Sequence, residues 1–449
     1  MARLFGTDGV RGVANLELTG ELAYRLGRAA GHHLATGVDQ PRVLVGRDTR
    51  ISGDLLEAAL VAGFLSVGVD AITLGVVPTP GVAFLTRHTG AAGGAVISAS
   101  HNPPPDNGIK FLSAEGYKLA EPGERTIEEF ALADPDVLPR PTGTGVGRWR
   151  QAPDLVNEYL DHLVATAGTR LDGLRLVVDT AHGATCRLAP LLLERLGARV
   201  TAINASPEGA NINVDCGATH PLLLGRSVVE GGADAGVAYD GDGDRAIAVD
   251  EKGEVVDGDQ IMAACGLYLV EQGRLPRRGI VATVMSNIGL ELAFQAHGGR
   301  VVRTPVGDRH VLEAMLREGM ILGGEQSGHL IFLDAATTGD GLLTTIRLLG
   351  VMVATGQPLS KLAARMTKYP QVLLNVRVRQ KPDLEAIPGL PDMLAKTSET
   401  LGPKGRVVLR PSGTEPLVRV MVEGEDADLV ESSAREVAGF IAGRLGQDG

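Results

Sequence analysis

The sequence predicts an α/β protein of three α/β units with mixed sheets, followed by a smaller C-terminal α+β unit. Three observations carry the prediction. The chain has 449 residues, too many for one ordinary core and enough for three or four domains of about 100–150 residues. Short apolar runs alternate with segments of helical periodicity through residue 354, which is the pattern of βαβ units. Beyond residues 358–370 the alternation gives way to closely spaced strands and one closing helix.

In the first unit (residues 1–150), Leu22, Leu26, Ala29, Ala30 and Leu34 keep helical spacing behind Thr19, a good N-cap. Residues 43–45 form a short apolar strand ending in Gly46-Arg47-Asp48. Ser52 stands where the next helix needs a cap, and residues 71–74 form the next strand. Ala95-Val96-Ile97 ends a buried strand that runs into Ser98, Ser100, His101, Asn102 and three prolines. Residues 133–153, with four prolines and three glycines, read as a linker. The second unit (151–254) opens with a strand at 174–178, then a helix over 184–196 and a strand at 200–203. The third (255–365) begins near Val255, with a helix over 260–271, a strand at 280–284 and a helix over 341–354. The fourth (366–449) carries strands at 372–378, 406–409 and 417–422 and a helix from about residue 426. No sequence repeat of fixed period relates the three α/β units.

Composition excludes several classes of partner. A net charge of −11 argues against nonspecific nucleic-acid binding and leaves room only for a local basic pocket. Cys186, Cys216 and Cys265 lie far apart without CxxC spacing, as reduced packing residues of a cytoplasmic protein do. The opening MARLFGTDGVRG has no apolar signal core. The greasiest stretch, residues 55–77, is broken by Glu57, Gly63, Gly68 and Asp70, so no membrane partner is expected. A homodimer stays open.

Four loops could carry chemistry. In Ser100-His101-Asn102-Pro103, a serine stands at the mouth of a proline-pinned turn; such a hydroxyl needs a base or a metal to react at neutral pH. In Asp240-Gly241-Asp242-Gly243-Asp244-Arg245, carboxylates two residues apart share one side of an extended chain, and three of them repel unless a cation neutralises them. All-oxygen ligands suit Mg²⁺, Ca²⁺ or Mn²⁺. A calcium hand is excluded, because its sixth position needs glycine and Arg245 stands there, between strands and not helices. In Gly323-Gly324-Glu325-Gln326-Ser327-Gly328-His329, a hairpin by its glycines, Glu325 and Ser327 could bind vicinal hydroxyls. In Arg410-Pro411-Ser412-Gly413-Thr414-Glu415-Pro416 with Arg419 beyond, arginines, hydroxyls and backbone amides make a phosphate cradle; it lacks the lysine of a nucleotide P-loop. Serine, cation site, polyol reader and phosphate grip each address a different part of one phosphosugar.

Nearly end to end, the chain resembles the α-D-phosphohexomutase superfamily, and within it the branch that acts on glucosamine phosphates. The resemblance rests on Phe5-Gly6-Thr7-Asp8-Gly9-Val10-Arg11-Gly12, Gly46-Arg47-Asp48-Thr49-Arg50, Pro78-Thr79-Pro80, residues 97–110, the loops at 240–245 and 323–329, Val306-Gly307-Asp308-Arg309 and residues 410–419. Gln326, Asn211-Ile212-Asn213 and Gly217-Ala218-Thr219 point to the branch; Pro104, Pro305 and Pro411 depart from the usual pattern beside the site. The resemblance implies four domains around a central cleft, and a phosphoryl group carried on Ser100. It implies one Mg²⁺ held by Asp240, Asp242, Asp244 and a phosphate oxygen on Ser100. It implies a small phosphosugar substrate, with glucosamine 1,6-bisphosphate as intermediate and activator between glucosamine 6-phosphate and glucosamine 1-phosphate, toward UDP-N-acetylglucosamine and peptidoglycan precursors. Arg245, Glu325, Ser327 and His329 would bind the substrate. Arg410, Ser412, Gly413, Thr414 and Arg419 would hold the phosphate that is not reacting. Lys110, Arg11 and His329 are the candidates for general acid and base, with His101 orienting the phosphoserine. The competing readings are a phosphomannomutase/phosphoglucomutase and a metal-dependent phosphatase.

Overall fold

The computed structural model describes residues 4–6, 8–379, 383–384, 387–411 and 416–445. Within them four sheets follow one another along the chain and share no strand. The first has the order Phe5–Gly6, Gly9–Val13, Asp106–Ser113, Gly93–Ile97, Arg42–Arg47, Asp70–Val76, Trp149–Gln151. It is mixed. Arg42–Arg47 runs parallel to both Asp70–Val76 and Gly93–Ile97, whereas Asp106–Ser113 is antiparallel to Gly93–Ile97 and to Gly9–Val13. Gly93–Ile97 is buried along its whole length, as a strand covered on both faces must be.

Two local expectations change in this unit. The proline-rich segment 133–153 is not a free linker, because Trp149–Gln151 adds a seventh strand parallel to Asp70–Val76. Extended residues there meet the open sheet edge, and the Trp149 indole N–H donates to Thr73 Oγ1 at 3.1 Å. Thr19 does cap the helix Gly20–Leu34, accepting from Leu22 N at 3.2 Å. Ser52, at the N-cap of the helix Gly53–Ser66, already has helical φ and ψ, a geometry that turns the hydroxyl away from the first-turn amides. It accepts from Asn107 Nδ2 instead, at 2.9 Å.

The second sheet has the order Val255–Val256, Ala246–Asp250, Ala235–Tyr239, Arg175–Asp179, Arg199–Ile203. Ala235–Tyr239 and Ala246–Asp250 form an antiparallel hairpin, and the acidic loop is its connection. In the third sheet, Arg300–Thr304, Gly279–Thr283 and Leu322–Gly324 are parallel and Leu330–Phe332 closes antiparallel on the last. Asp257 opens the helix Gly258–Glu271 with a capping box to Gln260. The fourth sheet, Gln371–Arg377, Leu417–Glu423 and Arg406–Pro411, is wholly antiparallel. The three α/β units thus repeat one device: a central parallel strand ends, a functional loop follows, and the chain returns as an antiparallel neighbour. Loops at the carboxyl ends of such strands are where ligand sites form in open α/β sheets.

The apolar interior divides unevenly. One continuous cluster joins the first three units, from Leu44, Val82 and Val96 through Tyr159 and Tyr239 to Met262 and Ile346. The fourth sheet has a core of its own, with Val376, Val418, Val420, Val430, Val437 and Ile441. Polar contacts tie it to the third unit: Arg406 donates to the carbonyls of Val284 (3.0 Å) and Ser286 (2.9 Å), and Gln371 to that of Met285 (3.2 Å). Among the described residues no helix is long and apolar enough to cross a membrane.

A separate core should melt separately. Val420 is fully buried in the fourth core, so Val420→Ala is expected to destabilise that unit by about 2 kcal/mol. In calorimetry this should lower one transition and leave the main one within about a degree. A single transition shifting as a whole would show that the four units unfold together.

Candidate active site

Ser100 sits in the loop that follows the buried strand Gly93–Ile97, in a left-handed backbone conformation with φ of +52°. Such a residue persists only where the surroundings over-determine it, and here they do. Ser98 Oγ accepts from Ser100 N at 2.9 Å and donates to Asp48 Oδ2 at 2.6 Å. Arg50, with no exposed surface, is held by Asp48 (2.9 Å) and fans its guanidinium over the turn. It donates to the carbonyls of Ser100 (3.1 Å), Asn102 (2.7 Å), Asp106 (2.9 Å) and Pro103. A guanidinium's rigid fork of donors suits this task as no amine would.

The acidic loop meets the serine directly. Ser100 Oγ donates to Asp240 Oδ2 at 2.7 Å, and Nδ1 of His101 lies 3.3 Å from the same hydroxyl. Oxygens of Asp240, Asp242 and Asp244 all fall within 4.8 Å of one another, and all three residues are buried. The convergence has a different cause from the one the spacing suggested. The chain turns here instead of extending, with Gly243 at φ +69°. Gly241 is required by close approach: a Cβ there would stand 2.6 Å from the Ser100 carbonyl.

Three like charges at such distances repel by about 4 kcal/mol per pair even at an effective dielectric constant of 20. Their neutralisers come from each α/β unit. Lys110 Nζ lies 2.8 Å from Asp242, 3.1 Å from Asp8 and 3.9 Å from Asp244. Burial works against its charge, but Asp242, Asp8 and Asp244 hold it above the ordinary lysine range. Arg245 Nε lies 3.8 Å from both Asp240 and Asp244. His329 Nδ1 lies 3.5 Å from Asp244; burial opposes its charge, yet Asp244 lifts it to about 9. Gly339 N approaches its Nε2 at 3.2 Å, and the Nδ1 proton faces Asp244. The carboxylates divide. Burial, then Asp244 and Asp242, push Asp240 well above the usual range, whereas His329 and Lys110 outweigh burial and keep Asp244 below it. Burial and the nearby Arg245 and Arg11 pull His101 down to about 4, so it is neutral near pH 7.

These residues fit a divalent cation. The donors are all oxygens, and the second oxygens of Asp242 and Asp244 are buried without any hydrogen-bond partner, which is costly unless a cation completes them. Thr79, from the Pro78-Thr79-Pro80 turn, aims Asp242 by donating to its Oδ2 at 2.6 Å.

The other predicted residues line the space around this centre. Arg11 pairs with Asp8 and reaches Asn102 at 3.4 Å. Glu325 accepts from Gly307 N at 3.1 Å, and Ser327 with Arg245 and Gln326 borders a cavity of about 750 Å³ between the second, third and fourth units, within the range of small-molecule sites. Arg410 and Arg419 are directly opposite on neighbouring antiparallel strands, and the Nε of each is buried without a partner. Burial and Arg419 together lower the pKa of Arg410. Like charges so placed destabilise a sheet unless an anion lies between them. Ser412, Gly413 and Thr414, expected in the same grip, lie outside the described residues. Sequence reading gave no role to Asp8, Asp48, Arg50, Thr79 or Asn213, although all stand in the tracts that carried the resemblance. Lys118, 3.1 Å from Asp8 and 3.6 Å from Asp308, had no sequence signal.

Sequence models of the phosphoglucomutase/phosphomannomutase family match the chain along its length: α/β/α domain I over residues 2–136, domain II over 157–253, domain III over 257–369 and the C-terminal domain over 373–440. The phosphoglucosamine mutase of Moorella thermoacetica is 57% identical over 432 residues, 96% of this chain and 97% of its own length. Among solved structures, a phosphoglucomutase/phosphomannomutase family protein from Burkholderia thailandensis shares the fold with a TM-score of 0.83 at 24% identity, over 98% of this chain and 97% of that one. The N-acetylphosphoglucosamine mutase of Aspergillus fumigatus, solved in complex with GlcNAc-6P and magnesium, shares it with a TM-score of 0.72 at 19% identity, over 98% and 95%.

If the acidic loop holds a cation, adding Mg²⁺ should raise the melting temperature, by an amount equivalent to about 2.7 kcal/mol at a hundred times the dissociation constant. Asp244→Asn should lose most of that increment. An equal increment in parent and variant would assign the carboxylates to the turn alone.

Proposed function

The chain belongs to the phosphoglucomutase/phosphomannomutase family, and from that premise we propose that it interconverts glucosamine 6-phosphate and glucosamine 1-phosphate through a phosphoserine at Ser100. One observation carries the chemistry: a serine hydroxyl 2.7 Å from a buried carboxylate in a cluster where one oxygen each of Asp242 and Asp244 lacks a partner. That is a nucleophile beside a cation site, the arrangement phosphoryl transfer needs, since positioning and charge neutralisation dominate its barrier. The high identity to phosphoglucosamine mutases supports the amino sugar as substrate.

In the forward direction phospho-Ser100 gives its phosphoryl group to O1 of glucosamine 6-phosphate. The P–Oγ bond breaks as the P–O1 bond forms; the O1 proton leaves and Oγ takes one up. Glucosamine 1,6-bisphosphate results, turns end over end while bound, and returns a phosphoryl group from O6 to Ser100. Magnesium, held by Asp240, Asp242 and Asp244, would neutralise charge on the transferring phosphoryl group. Lys110, kept charged by its carboxylate neighbours, supports a charge-stabilising role and not that of a base. Arg11, a guanidinium bound to Asp8, serves the same way. Glu325 and Ser327 read the sugar hydroxyls. The facing Arg410 and Arg419 hold the distal phosphate, in a unit whose polar attachment lets it loosen and regrip.

A coupled assay with glucosamine 6-phosphate beside glucose and mannose 6-phosphates tests the reading, which predicts a clear preference for the amino sugar. Ser100→Ala should abolish turnover in every case with an unchanged melting profile, and the parent should carry one phosphate on the Ser100 peptide by mass spectrometry. An active Ser100→Ala variant would rule out the covalent route. Arg419→Ala should bind phosphosugar at least tenfold more weakly and release free bisphosphate in single turnovers, so that added glucosamine 1,6-bisphosphate partly restores the rate. Unaltered binding and release would remove Arg419 from the phosphate grip.

A further inference from the structure

Ser100 belongs to the first unit and its partner Asp240 to the second, so the geometry of phosphoryl transfer is set across a boundary between them. Arg50 braces the serine turn only from within the first unit. Asn213 reaches it from the second. Its Nδ2 donates to the carbonyls of Ser100 at 2.9 Å and Asn102 at 3.0 Å, the two carbonyls that Arg50 Nη2 also serves. An amide NH₂ has two hydrogens, one for each carbonyl.

The same amide touches the acidic loop. A Cβ built on Gly241 would fall 2.9 Å from Asn213 Nδ2 and 2.6 Å from the Ser100 carbonyl, so the side chain is wedged where the two loops meet. The wedge is itself anchored. Asn213 N donates to the Ala181 carbonyl at 2.9 Å, and Asp179 fixes that segment by accepting from Ala181 N (2.9 Å) and Gly217 N (3.0 Å). Asn213 has φ of +60°, a left-handed conformation that asparagine tolerates better than most residues.

We propose that Asn213 is a positioning residue for phosphoryl transfer, a latch from the second unit that fixes the Ser100 peptide relative to the metal-binding loop. The proposal rests on the mutase reading for its consequence in turnover, but the latch itself can be measured without it. Asn213→Gly removes the amide at a φ that glycine adopts without strain. Asn213→Asp keeps the shape and turns oxygens toward the two carbonyls. Both should lower kcat about 10- to 100-fold, the effect of a displacement near 1 Å, with KM for the sugar phosphate within about twofold. Hydrogen exchange of the amides around Ser100 should quicken roughly tenfold, while the melting temperature moves by no more than a few degrees. A role in folding alone would lower the melting temperature and leave kcat per folded molecule at the parent value, overturning the proposal. So would unchanged exchange around Ser100 in both variants. A parent without glucosamine-phosphate turnover would count against the mutase reading, and exchange around Ser100 would still decide the latch.

Discussion

Three buried carboxylates on one short turn are the constraint around which this molecule is built. Alone, Asp240, Asp242 and Asp244 would push one another apart or take up protons. Their countercharges arrive from separate parts of the chain: Lys110 from the first unit, Arg245 beside the turn, His329 from the third. The charge balance of one loop therefore ties three domains together, and an apolar cluster shared by all three lies beneath it. One oxygen each of Asp242 and Asp244 still keeps no partner, and those are the oxygens a divalent cation would complete.

The fourth unit follows other rules. Its core is closed on itself, and its contacts with the third unit include side chains on backbone carbonyls and the Lys368–Asp257 ion pair. Such contacts exchange for water at little net cost, whereas an apolar interface would resist separation in proportion to its area. The three units joined by one apolar cluster carry Ser100 and the acidic loop, and the separately packed unit carries the facing Arg410 and Arg419.

Ser100 in its left-handed conformation shows how little freedom the centre has. Asp48, Ser98 and Arg50 hold it from below, while Asn213 and Asp240 hold it from across the unit boundary. Much of this was legible in the sequence and much was not. The strands before the serine and acidic loops, the capped helix at Thr19 and the strands of the fourth sheet follow from apolar periodicity and capping chemistry; that the fourth sheet is antiparallel does not. The strand Trp149–Gln151 does not, because three exposed residues carry no periodic signal and pair only because an edge is open to them. Ser52 looked like a cap from its residue type; its backbone conformation, set by packing, decided otherwise.

The sequence by itself determined which groups could react: a serine at a strand end, three aspartates alternating with glycines, a Glu-x-Ser pair and two arginines around a Ser-Gly-Thr turn. These are local patterns, and the chemistry of a side chain travels with its identity. Only the tertiary structure decided which charges meet. Lys110 and Asp242 are 132 residues apart, and Asn213 stands 113 residues from the carbonyl it grips. Sequence spacing says nothing about such contacts, because the strand order of each sheet and the packing of unit on unit bring them together. The aspartates converge through a turn and not an extended strand for the same reason. The hairpin that surrounds them, and the loop that presses on Gly241, dictate the path of the backbone.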